Sequence, residues 1–132
     1  MDTVGCANTR QVEQITRRFI GKFLGVTYGV HFHNTVGLAD TLAAPKTGIP
    51  FLDSGVVGLG GYPFALGASG NVATQDIIFM FNKMGVEMGV DIQCLLKASH
   101  FLKEILPVVV LTSALFNAGL RGKWAYRIRI PA

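Results

Sequence analysis

Residues 29–71 read GVHFHNTVGLADTLAAPKTGIPFLDSGVVGLGGYPFALGASGN, and their pattern decides the fold. Residues 26–33 are β-branched and aromatic, which predicts a strand, and residues 49–54 predict a second, buried strand. Residues 37–47 between them predict a helix, in which Pro45 is awkward because proline removes a backbone hydrogen bond. Strand, helix and strand in this order indicate two parallel strands joined by a crossover helix.

A helix is predicted before this unit, over residues 9–24. Asn8 is its expected N-cap, and Gln11 stands in the capping-box position. Its apolar residues recur at spacings of three and four and form one face: Val12, Ile15, Phe19 and Phe23.

Two further helices are predicted after the unit. Thr74 is expected to cap a helix that runs to Met84, and Asp91 to start another that ends before Pro107. The whole order predicts an α/β protein of about three βα units plus an extra helix. A complete TIM (β/α)8 barrel needs eight units and about 250 residues, so we expect the C-terminal part of such a barrel. We assign residues 1–106 to this partial barrel domain and residues 107–132 to a C-terminal tail.

The composition favours a folded, soluble chain. The 132 residues are 50% hydrophobic and 15% charged, which suits one domain with a core and excludes a disordered chain. The longest uncharged apolar run near the C-terminus, residues 105–120, is shorter than the roughly 20 residues of a membrane span. Cys6 and Cys94 give neither a disulfide framework nor a metal-binding spacing, which fits a reducing compartment.

The net charge is +4, and eight of the twelve basic residues lie in two groups. We interpret these groups as a solvated helix face and a basic tail rather than as a nucleic-acid interface. The two groups are Arg10, Arg17, Arg18 and Lys22, and Arg121, Lys123, Arg127 and Arg129.

His31 and His33 form the first chemical motif. A strand places residues i and i+2 on the same face, and two imidazoles at a strand end can hold a divalent metal. Barrel active sites also gather where strands end. Two ordinary strand residues would give the same spacing.

The second motif is the loop of residues 55–71, which is rich in glycine and has no charged residue. Loops of this length in compact domains are uncommon unless they are functional. The glycines allow backbone to approach a ligand or to move as a lid, or they provide flexibility alone. Asn71 at its end can offer a carbonyl oxygen to a hard cation or can cap the next helix.

Four segments together resemble the 3-hydroxy-3-methylglutaryl-CoA lyases of the HMGL-like metallolyase family: residues 2–5 (DTVG), 31–34 (HFHN), 51–54 (FLDS) and 58–74 (GLGGYPFALGASGNVAT). The resemblance runs from residue 2 to about 105 and covers only the C-terminal part of such an enzyme. It implies a (β/α)8 barrel that uses Mg²⁺ or Mn²⁺ to cleave hydroxymethylglutaryl-CoA into acetyl-CoA and acetoacetate.

The same resemblance implies a small acyl-CoA substrate, no nucleic acid or membrane partner, a possible homo-oligomer, and a place in the cytoplasm or the mitochondrial matrix. The related 2-isopropylmalate and homocitrate synthases are an alternative, which Asn34 and residues 37–39 (GLA) favour. The uncharged loop favours the lyases.

The resemblance also implies roles for particular residues. His31, His33 and Asn71 would be the metal ligands. Asp2 matches an acidic residue near the substrate, although a helix or turn cap is an equal alternative. Tyr62 stands where the lyases have a loop cysteine implicated in proton transfer, and its ordinary pKa is about 10 against about 8.5 for cysteine.

The chain departs from the lyase pattern at Asn34 and Gln75, where acidic residues are expected, and at Tyr62. We also expect the first barrel strand, with its metal-binding aspartate and neighbouring arginine, to be absent. Two hypotheses follow: a metal-dependent lyase with weak or no activity as this chain alone, or a non-catalytic barrel fragment that is unstable or assembles with another chain.

Overall fold

The structure is a computed structural model that describes residues 6–34, 36–61, 64, 68–107 and 113. Its elements follow in the order α1 (Thr9–Lys22), β1 (Gly29–His31), α2 (Gly37–Ala43), β2 (Phe51–Asp53), α3 (Thr74–Lys83) and α4 (Ile92–Ile105). Two short 3₁₀ turns lie at Pro45–Thr47 and Val56–Gly58. The predicted alternation of helices and strands is confirmed for this part of the chain.

The strands β1 and β2 are parallel, as predicted, and each is shorter than the sequence indicated. His31 lies opposite Asp53 in the register. Val30 and Leu52 are half-buried, whereas their neighbours along both strands are exposed, so one face of the pair packs on the helices and the other is open. The second face carries His31.

Two isolated bridges extend the sheet beyond the strands. His33 pairs antiparallel with Asn71, and Gly55 pairs in parallel with Ala73. The chain that enters α3 therefore runs beside the ends of both strands.

Helix α1 begins with the predicted capping box. The Asn8 side chain accepts the Gln11 N–H at 3.0 Å, and the Gln11 side chain accepts the Asn8 N–H at 3.0 Å. The predicted apolar face is less buried than expected: Val12 is buried, but Phe19 is 52% exposed and Ile15 53%. Within the described residues, the face has too few neighbours to cover it.

Pro45 explains why α2 is shorter than predicted. The helix ends at Ala43, and Pro45 begins a 3₁₀ turn in which its missing N–H is not required. The predicted helix through residues 37–47 is therefore two elements.

A small core joins α3 to the inner face of the sheet. Its buried members are Val72, Ile77 and Phe81. The half-buried side chains that pack on them are Phe32, Leu42, Leu52, Met80 and Met88. This core holds the start of α3 against the strand ends.

The predicted cap of α3 is wrong, and that of α4 is confirmed. Ala73 is the N-cap of α3, because the Thr74 hydroxyl bonds the Ser54 hydroxyl at 2.9 Å. Asp91 caps α4 by accepting the Gln93 N–H at 2.8 Å. Among the described residues, we find no helix with the length and apolar character of a membrane span.

Candidate metal site

The two histidines of the first motif lie together at the end of β1. The His31 and His33 ring centroids are 5.4 Å apart, and the rings meet edge to face. The prediction that they share one side of the strand is confirmed.

Asn71 joins the pair from 40 residues along the chain. Its Oδ1 lies 2.8 Å from Nε2 of His31, and its backbone forms the bridge with His33. The Asn34 N–H donates to the Gly70 carbonyl at 2.8 Å, which keeps the end of the glycine-rich loop beside the histidines. The three ligands predicted from the resemblance thus converge.

The loop also determines which way the Asn71 amide points. Its Nδ2 donates to the Leu59 carbonyl oxygen at 2.9 Å. A carbonyl oxygen can only accept, so the NH₂ group must face Leu59 and Oδ1 must face His31. A Cβ on Gly60 would lie 2.7 Å from Nδ2, so only glycine leaves room for this contact. Asn71 is oriented before any ligand binds.

His33 has an imidazole nitrogen without a partner. Its Nδ1 is buried and has no hydrogen-bond partner among the described residues. A buried polar atom in this state is costly, and a cation or proton donor would satisfy it.

The Asp53 carboxylate lies beside Nδ1 of His31. Its Oδ2 lies 3.5 Å from Nδ1 of His31, while the Asp53 side chain is 82% exposed. Because Oδ1 of Asn71 can only accept, Nε2 of His31 is the donor in this hydrogen bond. If His31 held a metal through Nε2, the N–H on Nδ1 would face the Asp53 carboxylate, a common outer-shell partner of a ligating histidine.

The donor set fits a divalent cation. Nε2 of His31 and Oδ1 of Asn71 lie 2.8 Å apart, and these are the two atoms of this pair that would hold a cation. Among the described residues, no three His, Cys, Asp or Glu side chains form a metal cluster, so the set depends on the Asn71 oxygen. The Asn71 carbonyl oxygen is a ligand typical of Mg²⁺ and Mn²⁺, whereas the two imidazoles are ligands typical of Zn²⁺ and Fe²⁺, so the three donors do not select one metal.

Both proposed catalytic residues, Asp2 and Tyr62, lie outside the described residues and stay predictions. Sequence reasoning missed Asp53. The signal was present, because parallel strands in register place the end of residues 51–54 opposite the first histidine.

An open hollow of about 480 Å³ lies beside the site. Its lining is Asn34, Val36, Leu38, Ala39 and Met80. None of these lining residues is a proposed ligand, so we do not assign the hollow to the metal site.

Comparison with known proteins agrees with the residues that converge here. A sequence model of the HMGL-like family matches residues 1–102. The chain belongs to the HMGL-like family. The predicted family is confirmed.

Individual relatives of this HMGL-like chain are acyl-CoA lyases by name. It is 39% identical over 105 residues to the hydroxymethylglutaryl-CoA lyase of Bacillus subtilis, covering 78% of this chain and 35% of that protein. It is 39% identical over 107 residues to (R)-citramalyl-CoA lyase of Chloroflexus aurantiacus, covering 80% of this chain and 34% of that protein. The chain therefore spans about a third of the length of these relatives.

Solved structures of HMG-CoA lyases share the fold of this HMGL-like chain. The Bacillus subtilis enzyme gives a TM-score of 0.81 at 35% identity over 90% of this chain and 40% of that one. The Acinetobacter baumannii enzyme, in complex with coenzyme A and 3-methylmalate, gives 0.82 at 34% identity over 98% and 42%. The small α/β unit is consistent with the predicted piece of a barrel.

Proposed function

We propose that this chain forms the metal-binding part of a hydroxymethylglutaryl-CoA lyase active site. The convergence of His31, His33 and Asn71 carries the proposal, since the end of β1 supplies the two histidines and the end of the glycine-rich loop supplies the asparagine. Relatives at 39% identity that are named as hydroxymethylglutaryl-CoA lyases support the substrate.

The chemistry is cleavage of a carbon–carbon bond next to a tertiary alcohol. A base takes the hydroxyl proton, the oxygen electrons form the ketone of acetoacetate, and the electrons of the broken bond pass to the acetyl-CoA enolate. A proton from an acid then gives acetyl-CoA. A divalent cation, Mg²⁺ or Mn²⁺, would stabilise negative charge on the substrate oxygens.

The roles of this chain's residues follow from the site. His31, His33 and Asn71 hold the cation, and Leu59 and Asp53 orient two of those ligands. Protonation of the enolate is assigned to the acid at Tyr62, and Asp2 remains the acidic group near the substrate. Both assignments rest on the resemblance.

The proposal also covers the complete fold, the substrate class, the location and the oligomeric state of the protein. The unit belongs to a (β/α)8 barrel with about three βα units on this chain, acts on an acyl-CoA, and works in the cytoplasm or the mitochondrial matrix. Mitochondrial and cytoplasmic relatives support the location. A homo-oligomer is compatible with it. The three donors include no carboxylate, so further ligands are required for a complete shell.

The proposal is tested first on the chain as it stands. Titration with Mn²⁺, followed by electron paramagnetic resonance, should show one bound ion, and acetoacetate formation from hydroxymethylglutaryl-CoA should be negligible. Turnover near that of a complete lyase would contradict the second expectation. Absence of Mn²⁺ binding would contradict the proposed site.

Activity is tested in a completed barrel. Residues 6–102 replace the matching segment of the Bacillus subtilis lyase, and cleavage is compared with the same chimera carrying His33→Ala. We expect cleavage above this control, and Tyr62→Cys should increase it if the loop residue limits the rate. Equal rates in the chimera and its His33→Ala control would favour the non-catalytic fragment. Condensation of an acyl-CoA with a 2-oxo acid instead of cleavage would favour a synthase.

A further inference from the structure

The turn that opens the glycine-rich loop has an unfavourable backbone conformation. Val57 has φ 51° and ψ 20°, the left-handed region, and it is the single non-glycine residue with positive φ among those described. A β-branched side chain is strained there, so neighbouring structure must hold the turn.

Gln75 supplies that support from the first turn of α3. Its side chain is fully buried, and its Oε1 accepts the Val57 N–H at 2.8 Å. Its Nε2 donates to the hydroxyl of Ser99 on α4, which in turn donates to the Leu95 carbonyl at 2.7 Å. A backbone N–H can only donate, so Oε1 of Gln75 must face Val57 and Nε2 must face Ser99. The Ser99 hydroxyl therefore accepts from Gln75 and donates to Leu95.

The strained turn leads directly to the proposed ligand. The Leu59 N–H donates to the Val56 carbonyl at 2.9 Å, and the Leu59 carbonyl accepts from Nδ2 of Asn71 at 2.9 Å. The hydrogen bond from the Val57 N–H to Gln75 therefore restrains the Leu59 carbonyl, two residues later, and through it the side chain of Asn71.

We propose that Gln75 is a positioning residue that, with Ser99, locks the left-handed turn at Val57 and so aims Asn71 at His31. The inference rests on the proposed function only in treating Asn71 as a metal ligand. Gln75 stands where the lyase resemblance predicts an acidic residue, and the structure gives it a complete set of partners without a buried charge. Glutamine in place of the expected acidic residue at position 75 therefore keeps the turn at Val57 and the orientation of Asn71 intact.

The test compares Gln75→Met, which keeps the volume and removes both hydrogen bonds, with Ile78→Val, a truncation of a buried side chain on the same helix. Exchange of the Val57 N–H and of the Asn71 side-chain amide protons is followed by NMR without metal. We expect both to exchange about tenfold faster, relative to the α3 core amides, in Gln75→Met alone. Unchanged relative rates would overturn the proposal.

Two further variants complete the test. Gln75→Glu keeps an oxygen for the Val57 N–H and should stay near the wild-type exchange rates; loss equal to that of Gln75→Met would overturn the assignment to this hydrogen bond. If Gln75→Met does not fold, Ser99→Ala replaces it and should give a smaller acceleration, and no acceleration would overturn the proposal.

Mn²⁺ affinity is measured on the same proteins. It should fall about tenfold in Gln75→Met and stay unchanged in Ile78→Val. If the wild type binds no Mn²⁺, the proposed function fails while the exchange result still decides the role of Gln75. If the wild type binds Mn²⁺ and the two variants bind it equally, the positioning role is overturned.

Discussion

Nε2 of His31 lies 2.8 Å from Oδ1 of Asn71, although a helix, a strand and the glycine-rich loop separate the two residues in the sequence. The contact joins the end of β1 to the end of the glycine-rich loop, three residues before α3 begins. It also uses the two atoms that we propose as metal donors, so a bound cation would replace this hydrogen bond.

The first prediction concerns the three proposed ligands. His31→Ala, His33→Ala and Asn71→Ala should each weaken Mn²⁺ binding by at least about tenfold, because each removes one of few donors. Isothermal titration calorimetry measures the affinities. The matched control is His100→Ala, which removes an exposed histidine of α4 and should leave the affinity unchanged. Equal affinity in a ligand variant and the control would remove that residue from the site.

The second prediction concerns Asp53. Asp53→Asn should weaken Mn²⁺ binding by about tenfold or less, because the carboxylate faces Nδ1 of His31 from an exposed position. The affinity should fall less than in His31→Ala. A double variant tests the route: in a His31→Ala background, Asp53→Asn should have no further effect, and an undiminished effect there would show that Asp53 acts independently of His31.

The third prediction concerns Gly60. Gly60→Ala should weaken Mn²⁺ binding, because the new Cβ would displace Nδ2 of Asn71. Gly85→Ala is the matched control: its φ of +76° resembles the +98° of Gly60, but a Cβ there meets nothing within 4 Å. Both changes should cost about 1 kcal/mol of folding free energy through the backbone, measured by urea unfolding. Only Gly60→Ala should alter the metal affinity, and a similar loss in both would point to stability alone.

The fourth prediction concerns the thiol at the start of α4. The Cys94 Sγ donates to Oδ2 of Asp91 at 3.3 Å, and this hydrogen bond, with the negative charge of the carboxylate, raises the pKa of Cys94. Asp91→Asn should lower that pKa and increase the rate of alkylation by iodoacetamide at pH 8, because more thiolate is present. Cys6 in the same molecule is the internal control, and an unchanged ratio of the two rates would contradict the prediction.

The fifth prediction concerns acid stability. Hydrogen bonds from the Gln93 N–H and the Cys94 side chain lower the pKa of Asp91 from 3.8. A lowered carboxyl pKa stabilises the folded state fully above the unfolded-state pKa, and this contribution is lost as the pH falls through the folded-state value. Asp91→Ala should therefore lower the melting temperature at pH 7, and the difference from wild type should shrink below pH 3.8. Circular dichroism at 222 nm checks this, and a constant difference would contradict it.

Local signals in the sequence predicted the parts of the fold that neighbouring residues determine. The capping box of Asn8 and Gln11 involves only residues three apart, and Pro45 acts on its own backbone. Thr74 failed as a predicted cap because its hydroxyl finds a partner 20 residues away, at Ser54. Contacts of that range carry no local pattern.

The features of the site also divide into those that the sequence predicted and those that depend on distant residues. The spacing of His31 and His33 predicted a shared face, and the resemblance added Asn71. The left-handed conformation of Val57 could not be predicted, because valine disfavours it and the Gln75 side chain that holds it comes 18 residues later. The apolar face of α1 was predicted as buried from periodicity alone, which indicates a face but not what covers it.

The Ser99 hydroxyl lies between the Leu95 carbonyl, which accepts its proton, and Nε2 of Gln75, which donates to its oxygen. Leu95 already receives the helical N–H of residue 99, so the hydroxyl proton can leave its carbonyl at modest cost. If a carboxylate stood at position 75, rotation about the Cβ–Oγ bond of Ser99 would let the hydroxyl donate to that carboxylate instead of accepting from the amide. The same heavy-atom frame would then satisfy the hydrogen bonds of either an amide or a carboxylate at position 75, but a carboxylate buried there would carry a desolvation cost that the amide does not.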